Sequence, residues 1–245
     1  MQTLLQVERL EVAYGKLQVV HGVSFAVAQG QFVVLLGRNG AGKTTTLRAV
    51  SGLLGKQRGR VLFGGDEITS WSPRRILQHG LAQVLDGHRV FTSLSVQDNL
   101  AVSALGSGQP RSASALQPIY DAFPELAERR QQLASRLSGG QQQILAVAQG
   151  LIAKPRLLIL DEPSAGLAPL VVERILQLAK SLTAQGTTVL LVEQFVEKAL
   201  AHADYCYVLD HGELVGEGSS AALEASGTIQ DIYLGAEMTT APVTR

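Results

Sequence analysis

The sequence predicts an α/β fold, and three observations carry that reading. Short runs rich in Val, Ile and Leu (Phe32–Leu36, residues 157–160 and residues 189–192) are bounded by Gly, Pro or Asp. Segments of helical period lie between them. One run leads directly into a glycine-rich turn and then a helix, the order expected of a parallel sheet covered on both faces.

The elements follow in order. Residues 4–14 alternate apolar and polar (Leu5, Val7, Leu10, Val12), as do residues 19–27 and 60–63, with Gly59 and Gly64-Gly65 as turns. Together they predict an antiparallel sheet near the N-terminus. Phe32–Leu36 is a buried strand and residues 44–54 a helix. Ser72-Pro73 opens a short helix to Gly80, with Ser as cap and Pro in the first turn. Ser95-Val96-Gln97-Asp98 reads as a capping box for a helix to about Leu105. Residues 106–114 form a loop. Residues 115–134 read as a helix interrupted at Pro124, and residues 137–153 as another. This all-helical stretch interrupts the α/β pattern and reads as an inserted arm. The pattern resumes with a strand at 156–160 and a helix over Pro169–Ala184. On that helix Val171, Ile175, Leu178 and Leu182 share a face, and Gly186 ends it. A strand at 188–192, a helix at 195–203 and a hairpin turning at Asp210-His211-Gly212-Glu213 follow. Residues 236–245 are small and polar and read as a flexible tail. No internal repeat is visible.

Composition narrows the function classes. The 245 residues suit one α/β domain with an inserted subdomain. A chain of this size buries about 70–75% of its unfolded surface, so no staple is needed. Charges balance, with 21 Lys and Arg against 21 Asp and Glu, which leaves no basic excess for nucleic acid. Cys206 is the sole cysteine, and His21, His79, His88, His202 and His211 show no metal-ligand spacing. Apolar residues reach 46%, yet no run approaches the ~18–20 that a membrane span needs. The first residues lack the order of a signal peptide, so a cytosolic protein is expected.

Gly37-Arg38-Asn39-Gly40-Ala41-Gly42-Lys43-Thr44 matches the GxxxxGK[ST] phosphate-binding loop. A polyphosphate needs several donors converging at once. Glycines allow positive φ, so successive N–H groups point inward. The following helix adds its positive dipole end. Lys43 brings a mobile charge to the outer phosphates, and the Thr44 hydroxyl suits Mg²⁺. The loop follows a buried strand and opens a helix, which is the context this motif requires. Asp161-Glu162 ends the apolar run 157–160, where α/β sheets bind ligands. An acid at 161 can hold Mg²⁺ through water, and Glu162 can orient or deprotonate an attacking water.

Leu137-Ser138-Gly139-Gly140-Gln141 follows the helical arm. Ser138 and Gln141 have capping-box spacing, and the glycines leave backbone N–H groups open to an anion. With this motif between the phosphate loop and the Asp-Glu strand end, the chain resembles the ATPase subunit of ATP-binding cassette (ABC) transporters over about residues 4–235. The resemblance implies a P-loop NTPase (RecA-like) core with an N-terminal antiparallel β subdomain and an inserted helical subdomain. The expected single domain spans 1–235, with core segments 1–84 and 153–235 and the helical subdomain at 85–152.

ATP and Mg²⁺ are the implied ligands. The nucleotide would meet residues 37–45, Thr45 included, and the partner's motif would close over its γ-phosphate. That motif comprises Leu137, Ser138, Gly139, Gly140 and Gln141. Tyr14 matches the aromatic that stacks on adenine; a plain edge-strand tyrosine is the other reading. Lys43, Glu162 and Gln194 would be catalytic, and Thr44, Asp161 and Asp86 would serve the metal. Ser164-Ala165-Gly166-Leu167 matches the loop that communicates across the dimer.

Three positions depart from the commonest pattern of the family. The usual Mg²⁺-sensing Gln is replaced by Asp86, with Gln83 three residues early and aimed elsewhere. The switch histidine is replaced by Gln194, which can donate to a γ-phosphate but cannot charge. That replacement implies a weaker pH dependence of turnover near pH 6–7. Ala168 stands where an Asp often follows Gly-Leu. These departures, with Gly166-Leu167-Ala168-Pro169 and Ile232-Tyr233-Leu234-Gly235, resemble the LivF-type branch, the ATPases of branched-chain or hydrophobic amino-acid importers. Urea and short-amide importers share that branch. Gln149 departs from it, since relatives usually carry Arg there.

Such an importer implies a second ATPase subunit, identical or not, two membrane permease subunits and, indirectly, a periplasmic substrate-binding protein. It implies no nucleic acid and a peripheral place on the cytoplasmic face of a bacterial inner membrane. The permeases would dock around residues 86–95, where Phe91 and Val90 are either apolar contacts or core residues. A non-transport ABC ATPase is the weaker alternative.

Overall fold

The structure, a computed structural model, describes residues 2–55, 58–87, 90–110, 112–193 and 196–226. Gln194, His88 and residues 227–245, with the tail expected at 236–245, lie outside the described residues. The strands are β1 (Thr3–Tyr14), β2 (Leu17–Ala28), β3 (Phe32–Leu36), β4 (Arg58–Phe63), β5 (Asp66–Glu67), β6 (Leu81–Val84), β7 (Leu157–Asp161), β8 (Thr188–Glu193), β9 (Tyr205–Asp210) and β10 (Glu213–Ser219). The helices are α1 (Lys43–Val50), α2 (Pro73–Gln78), α3 (Val96–Ser107), α4 (Ala113–Ala122), α5 (Pro124–Glu128), α6 (Gly139–Leu151), α7 (Pro169–Ala184), α8 (Val196–Leu200) and α9 (Ser220–Ser226).

Alternation builds the first sheet. Its order is β2-β1-β4-β5, antiparallel throughout. Val7, Leu10 and Val12 of β1 turn inward with Val23 and Phe25 of β2, while the residues between them face out. Continuous apolar runs build the second sheet, of order β10-β9-β3-β8-β7-β6. Its strands from β9 to β6 are parallel, and only the edge strand β10 runs antiparallel. Every residue of β3, β7 and β8 is buried because both faces are covered. Val33, Leu35, Ile159 and Leu190 face the first sheet. Val34, Leu36, Leu158 and Leu191 face the helical layer that includes α7.

A third apolar cluster lies within α3 to α6, around Leu100, Leu116, Phe123 and Leu126. Helix α6 belongs to two clusters. Ala146 and Val147 pack against the second sheet, and Ile144, Leu145 and Ala148 pack into the third cluster. One helix therefore couples the helical segment rigidly to the strand layer.

Several expected boundaries shift for local reasons. The helix expected over 44–54 stops at Val50, where Ser51 caps it and Gly52 turns into the left-handed region at φ +73°. Helix α3 runs on to Ser107, ended by Gly108 at φ +79°, so the loop expected at 106–114 shortens to the stretch before the Ser112 cap. The helix expected over 115–134 breaks up. Pro124 restarts it as α5, and beyond Glu128 the backbone turns back to pair with the start of α3. Val96 N–H donates to Gln132 O at 3.0 Å, and Ala134 N–H donates to Leu94 O at 2.9 Å. The helix expected from 137 begins at Gly139, because Ser138 is its cap. The fully buried face of α7 is Val172, Ile175, Leu176 and Ala179, with Val171, Leu178 and Leu182 at its margins. The helix expected at 195–203 is α8, five residues long. Strands β5 and β6 and helix α9 were not foreseen.

The β9–β10 turn braces both sheets. Gly212 N–H donates to Ala41 O at 2.9 Å, and its own carbonyl accepts from His21 N–H at 2.8 Å. Gly212 has φ +80°, and a Cβ there would run into the Val19 carbonyl and the His21 ring. Only glycine lets these three backbones meet. Gly212→Ala is expected to lower stability by about 1–3 kcal/mol, read by urea unfolding.

Candidate functional site

Strand β3 delivers the chain to the glycine-rich loop, and α1 carries it away. Gly42, at φ +102°, sits at the N-cap position and has no side chain to satisfy the first N–H groups of α1. Those donors remain available to an anion. The loop and helix start line a cavity of about 150 Å³ with Val19, Gly40, Ala41, Gly42, Lys43, Thr44, Thr45 and Glu162.

Lys43 is 3% exposed, so its ammonium must be matched by acceptors. It donates to Gly37 O at 2.6 Å and Arg38 O at 3.0 Å, and pairs with Glu162 Oε1 at 3.2 Å. Glu162 is the first residue after β7 and has φ +45°. Asp161, the last residue of β7, is 1% exposed. Its Oδ1 accepts the Thr44 hydroxyl at 3.0 Å. Its Oδ2 is buried with no hydrogen-bond partner. Burial pushes the Asp161 carboxyl up to about 6; the Thr44 bond opposes this, while the charges of Glu162 and Asp86 add to it. Asp86 follows β6 by two residues, near enough for its charge to be felt at Asp161.

A buried carboxylate with one orphaned oxygen beside a threonine hydroxyl suits a hard divalent cation. Among the described residues no cluster of three or more His, Cys, Asp or Glu is poised to hold a metal. A cation here would therefore draw its remaining ligands from phosphate oxygens and water.

The five residues 137–141 are placed elsewhere. Ser138 Oγ accepts from Gln141 N–H, and the Gln141 side chain accepts from Ser138 N–H at 3.0 Å, so the expected capping box is formed. None of the five lines the cavity at the phosphate loop. Gly140 lies against α7, where a Cβ would meet the Val171 methyls at 3.0 and 3.1 Å. Tyr14 ends β1 half-exposed and also lies outside that lining. Gln83 accepts the Ser51 hydroxyl at 2.5 Å, away from Asp161, as its early position implies. Gln149 reaches Asn99 O at 3.4 Å, tying α6 to α3. Gln194 lies outside the described residues.

Two contributors were missed by sequence reasoning. Val19 lines the cavity only because the Gly212 turn draws β2 to the loop. Glu193 ends β8 buried at 3% exposure and accepts Ser164 N–H at 3.2 Å. The available signal was an acid closing an apolar strand, the same pattern that marked Asp161.

The raised Asp161 value has a definite sign in stability. The unfolded chain releases this proton near pH 4, whereas the folded chain keeps it to about 6. Folding is therefore unpenalised by this group below about pH 4, loses stability between about pH 4 and 6, and carries the full penalty above. Asp161→Asn is expected to stabilise the protein, without nucleotide or metal, by about 1–3 kcal/mol at pH 7.5, with the gain gone near pH 4. Urea unfolding at the two pH values measures it.

Comparison with known proteins agrees with this geometry. A model of the ABC transporter family matches residues 20–165. The chain is 38% identical over 232 residues to the high-affinity branched-chain amino acid transport ATP-binding protein BraG of Pseudomonas aeruginosa, across 95% of this chain and 100% of that one. It is 33% identical over 236 residues to the probable branched-chain amino acid transport ATP-binding protein LivF of Archaeoglobus fulgidus, across 95% and 99%. A solved ATP-binding cassette of an ABC transporter, in its ADP conformation, superimposes with a TM-score of 0.86 at 25% identity, covering 96% of this chain and 100% of that one. A phosphate loop joined to an Asp-Glu strand end, a capped Leu-Ser-Gly-Gly-Gln helix and these likenesses together make the chain a member of the ABC transporter family, an ATP-binding and ATP-hydrolysing subunit.

Proposed function

We propose that this ATPase powers uptake of branched-chain or hydrophobic amino acids through separate permease subunits, on the cytoplasmic face of a bacterial inner membrane. The observation that carries the ATPase chemistry is the convergence of Lys43, Thr44, Asp161 and Glu162 on one small cavity. The substrate class is supported by the full-length likeness to BraG, whose name states branched-chain amino acid transport. Among the described residues no helix is long and apolar enough to cross a membrane, which fits a separate permease.

In this reading the loop N–H groups and the start of α1 cradle the phosphates. Lys43 exchanges its loop carbonyls and Glu162 for phosphate oxygens. Thr44 and the orphaned Asp161 oxygen would hold Mg²⁺, with Asp86 as a further candidate for the metal or its water. Bound there, Mg²⁺ would neutralise charge on the β- and γ-phosphates. Glu162 orients a water and accepts its proton as the water oxygen bonds to the γ-phosphorus and the bridging bond to ADP breaks. Residues 137–141 stand clear of their own chain's cavity, which suits service to a second ATPase subunit. Two subunits would close head to tail around two ATPs, with hydrolysis removing the bridging contact and reopening them. Tyr14 would stack on adenine.

The permeases would dock around residues 86–95, and the exposed Phe91 supports that reading. Phe91, 51% exposed, lines a cavity of about 290 Å³ with Leu77 and Gly106. The latter two residues also border a cavity of about 730 Å³ lined by Leu53, Val102 and Leu105, the last 57% exposed. An amphipathic permease segment would cover these side chains. Val90 is partly buried and packs against two apolar clusters, which supports a core role for it.

Glu162→Gln is expected to retain ATP and lose about 10²–10⁴-fold in hydrolysis, measured as phosphate release. Phosphate release at the parent rate would remove Glu162 from catalysis. Cells lacking the chain are expected to lose uptake of labelled leucine or isoleucine. Intact uptake of both, with loss of urea or short-amide uptake, would assign the sister branch instead.

A further inference from the structure

Strand β8 lies between β3 and β7, so its end reaches both halves of the nucleotide site. In register, Glu193 pairs with Leu36, the residue before the phosphate loop, and Val192 pairs with Asp161. The segment after Asp161 contains Pro163, which has no N–H. The backbone N–H groups on either side of it both go to β8. Glu162 N–H donates to Val192 O at 3.0 Å, and Ser164 N–H donates to the Glu193 carboxylate at 3.2 Å.

Between these two anchors Glu162 holds φ +45°. A non-glycine residue in that region costs about 1–3 kcal/mol and persists only when its surroundings over-determine it. Glu193 is 3% exposed, which no carboxylate tolerates without a partner. The side chain therefore has a specific task at this position.

We propose that Glu193 is a positioning residue for hydrolysis: its carboxylate pins the Ser164 amide and so holds Glu162 in the left-handed conformation that carries the Glu162 carboxylate into the nucleotide cavity. This rests on the reading of Glu162 as the group that activates water. Glu193 also adjoins the loop 164–167, so the same bond ties that loop to the strand running up to the phosphates.

The test uses the full chain at fixed protein concentration, with steady-state ATP hydrolysis and ADP affinity by calorimetry. Glu193→Ala is expected to lower kcat by about 10- to 100-fold while KM for ATP and ADP affinity stay within about threefold. Glu193→Gln keeps an oxygen that accepts the Ser164 amide, and is expected to restore kcat to within about threefold of the parent. Hydrogen exchange at Ser164 should speed up in the Ala variant and not in the Gln variant. If Glu193→Ala does not fold, Glu193→Met, which fills the space without accepting a bond, takes its place. An Ala or Met variant with parent kcat would overturn the inference. So would a fall in ADP affinity parallel to kcat, or a Gln variant as slow as Ala. An inactive Glu162→Gln in the same assay confines such a failure to Glu193; an active one sinks the reading beneath it.

Discussion

The Thr44–Asp161 hydrogen bond joins residues 117 positions apart in the chain, and the nucleotide site depends on it. Beside it, Lys43 and Glu162 form an ion pair at 3.2 Å. One partner of each pair belongs to the loop-to-α1 segment and the other to the end of β7. Neither could be formed by local structure. They meet because β3 and β7 flank β8 in one parallel sheet and end at the same edge. The carboxyl ends of parallel strands gather loops there, so a phosphate-binding loop and a pair of acids become one centre.

Rigidity at that edge comes from apolar burial and from backbone bonds of unusual reach. Strands β3, β7 and β8 are covered on both faces, and a close-packed interior does not let one strand slide past its neighbours. The Gly212 turn adds a brace from outside the sheet, with one bond to the phosphate loop and another to β2. Helix α6 shares its sides between the strand layer and the helical segment, so the start of α6 is held relative to the nucleotide edge. Its first residues, capped by Ser138, lie outside the lining of their own chain's cavity. In the proposed pairing with a second ATPase subunit, that placement would make the site respond to association.

Much of this was legible in the chain because short-range rules govern it. The spelling of residues 37–44 and the acids at 161 and 162 are local patterns whose chemistry follows from side-chain type and spacing. Ser138 and Gln141 formed the capping box their separation implies, and α7 spans Pro169–Ala184 as its period predicts. Other features were hidden because they answer to distant partners. Residues 129–134 have helical composition, yet their backbone pairs with residues 94–97, so tertiary hydrogen bonds outweighed propensity. Strand β6 has four residues, too few for periodicity to show.

The chain's own residues thus determined the α/β class, the order of its main strands and helices, the phosphate loop, the acidic strand end and the second glycine-lined helix start. Each depends on neighbours within a few positions, and local sterics and hydrogen bonding act at that range. Tertiary structure decided which of those pieces share a cavity. It drew Val19 to the cavity, sent Gln83 to Ser51, left an Asp161 oxygen without a hydrogen-bond partner and ended β8 at Glu193 between β3 and β7. Those outcomes follow from strand order and from burial, which raises the cost of every unpaired charge, and both come into being only when the whole sheet has formed.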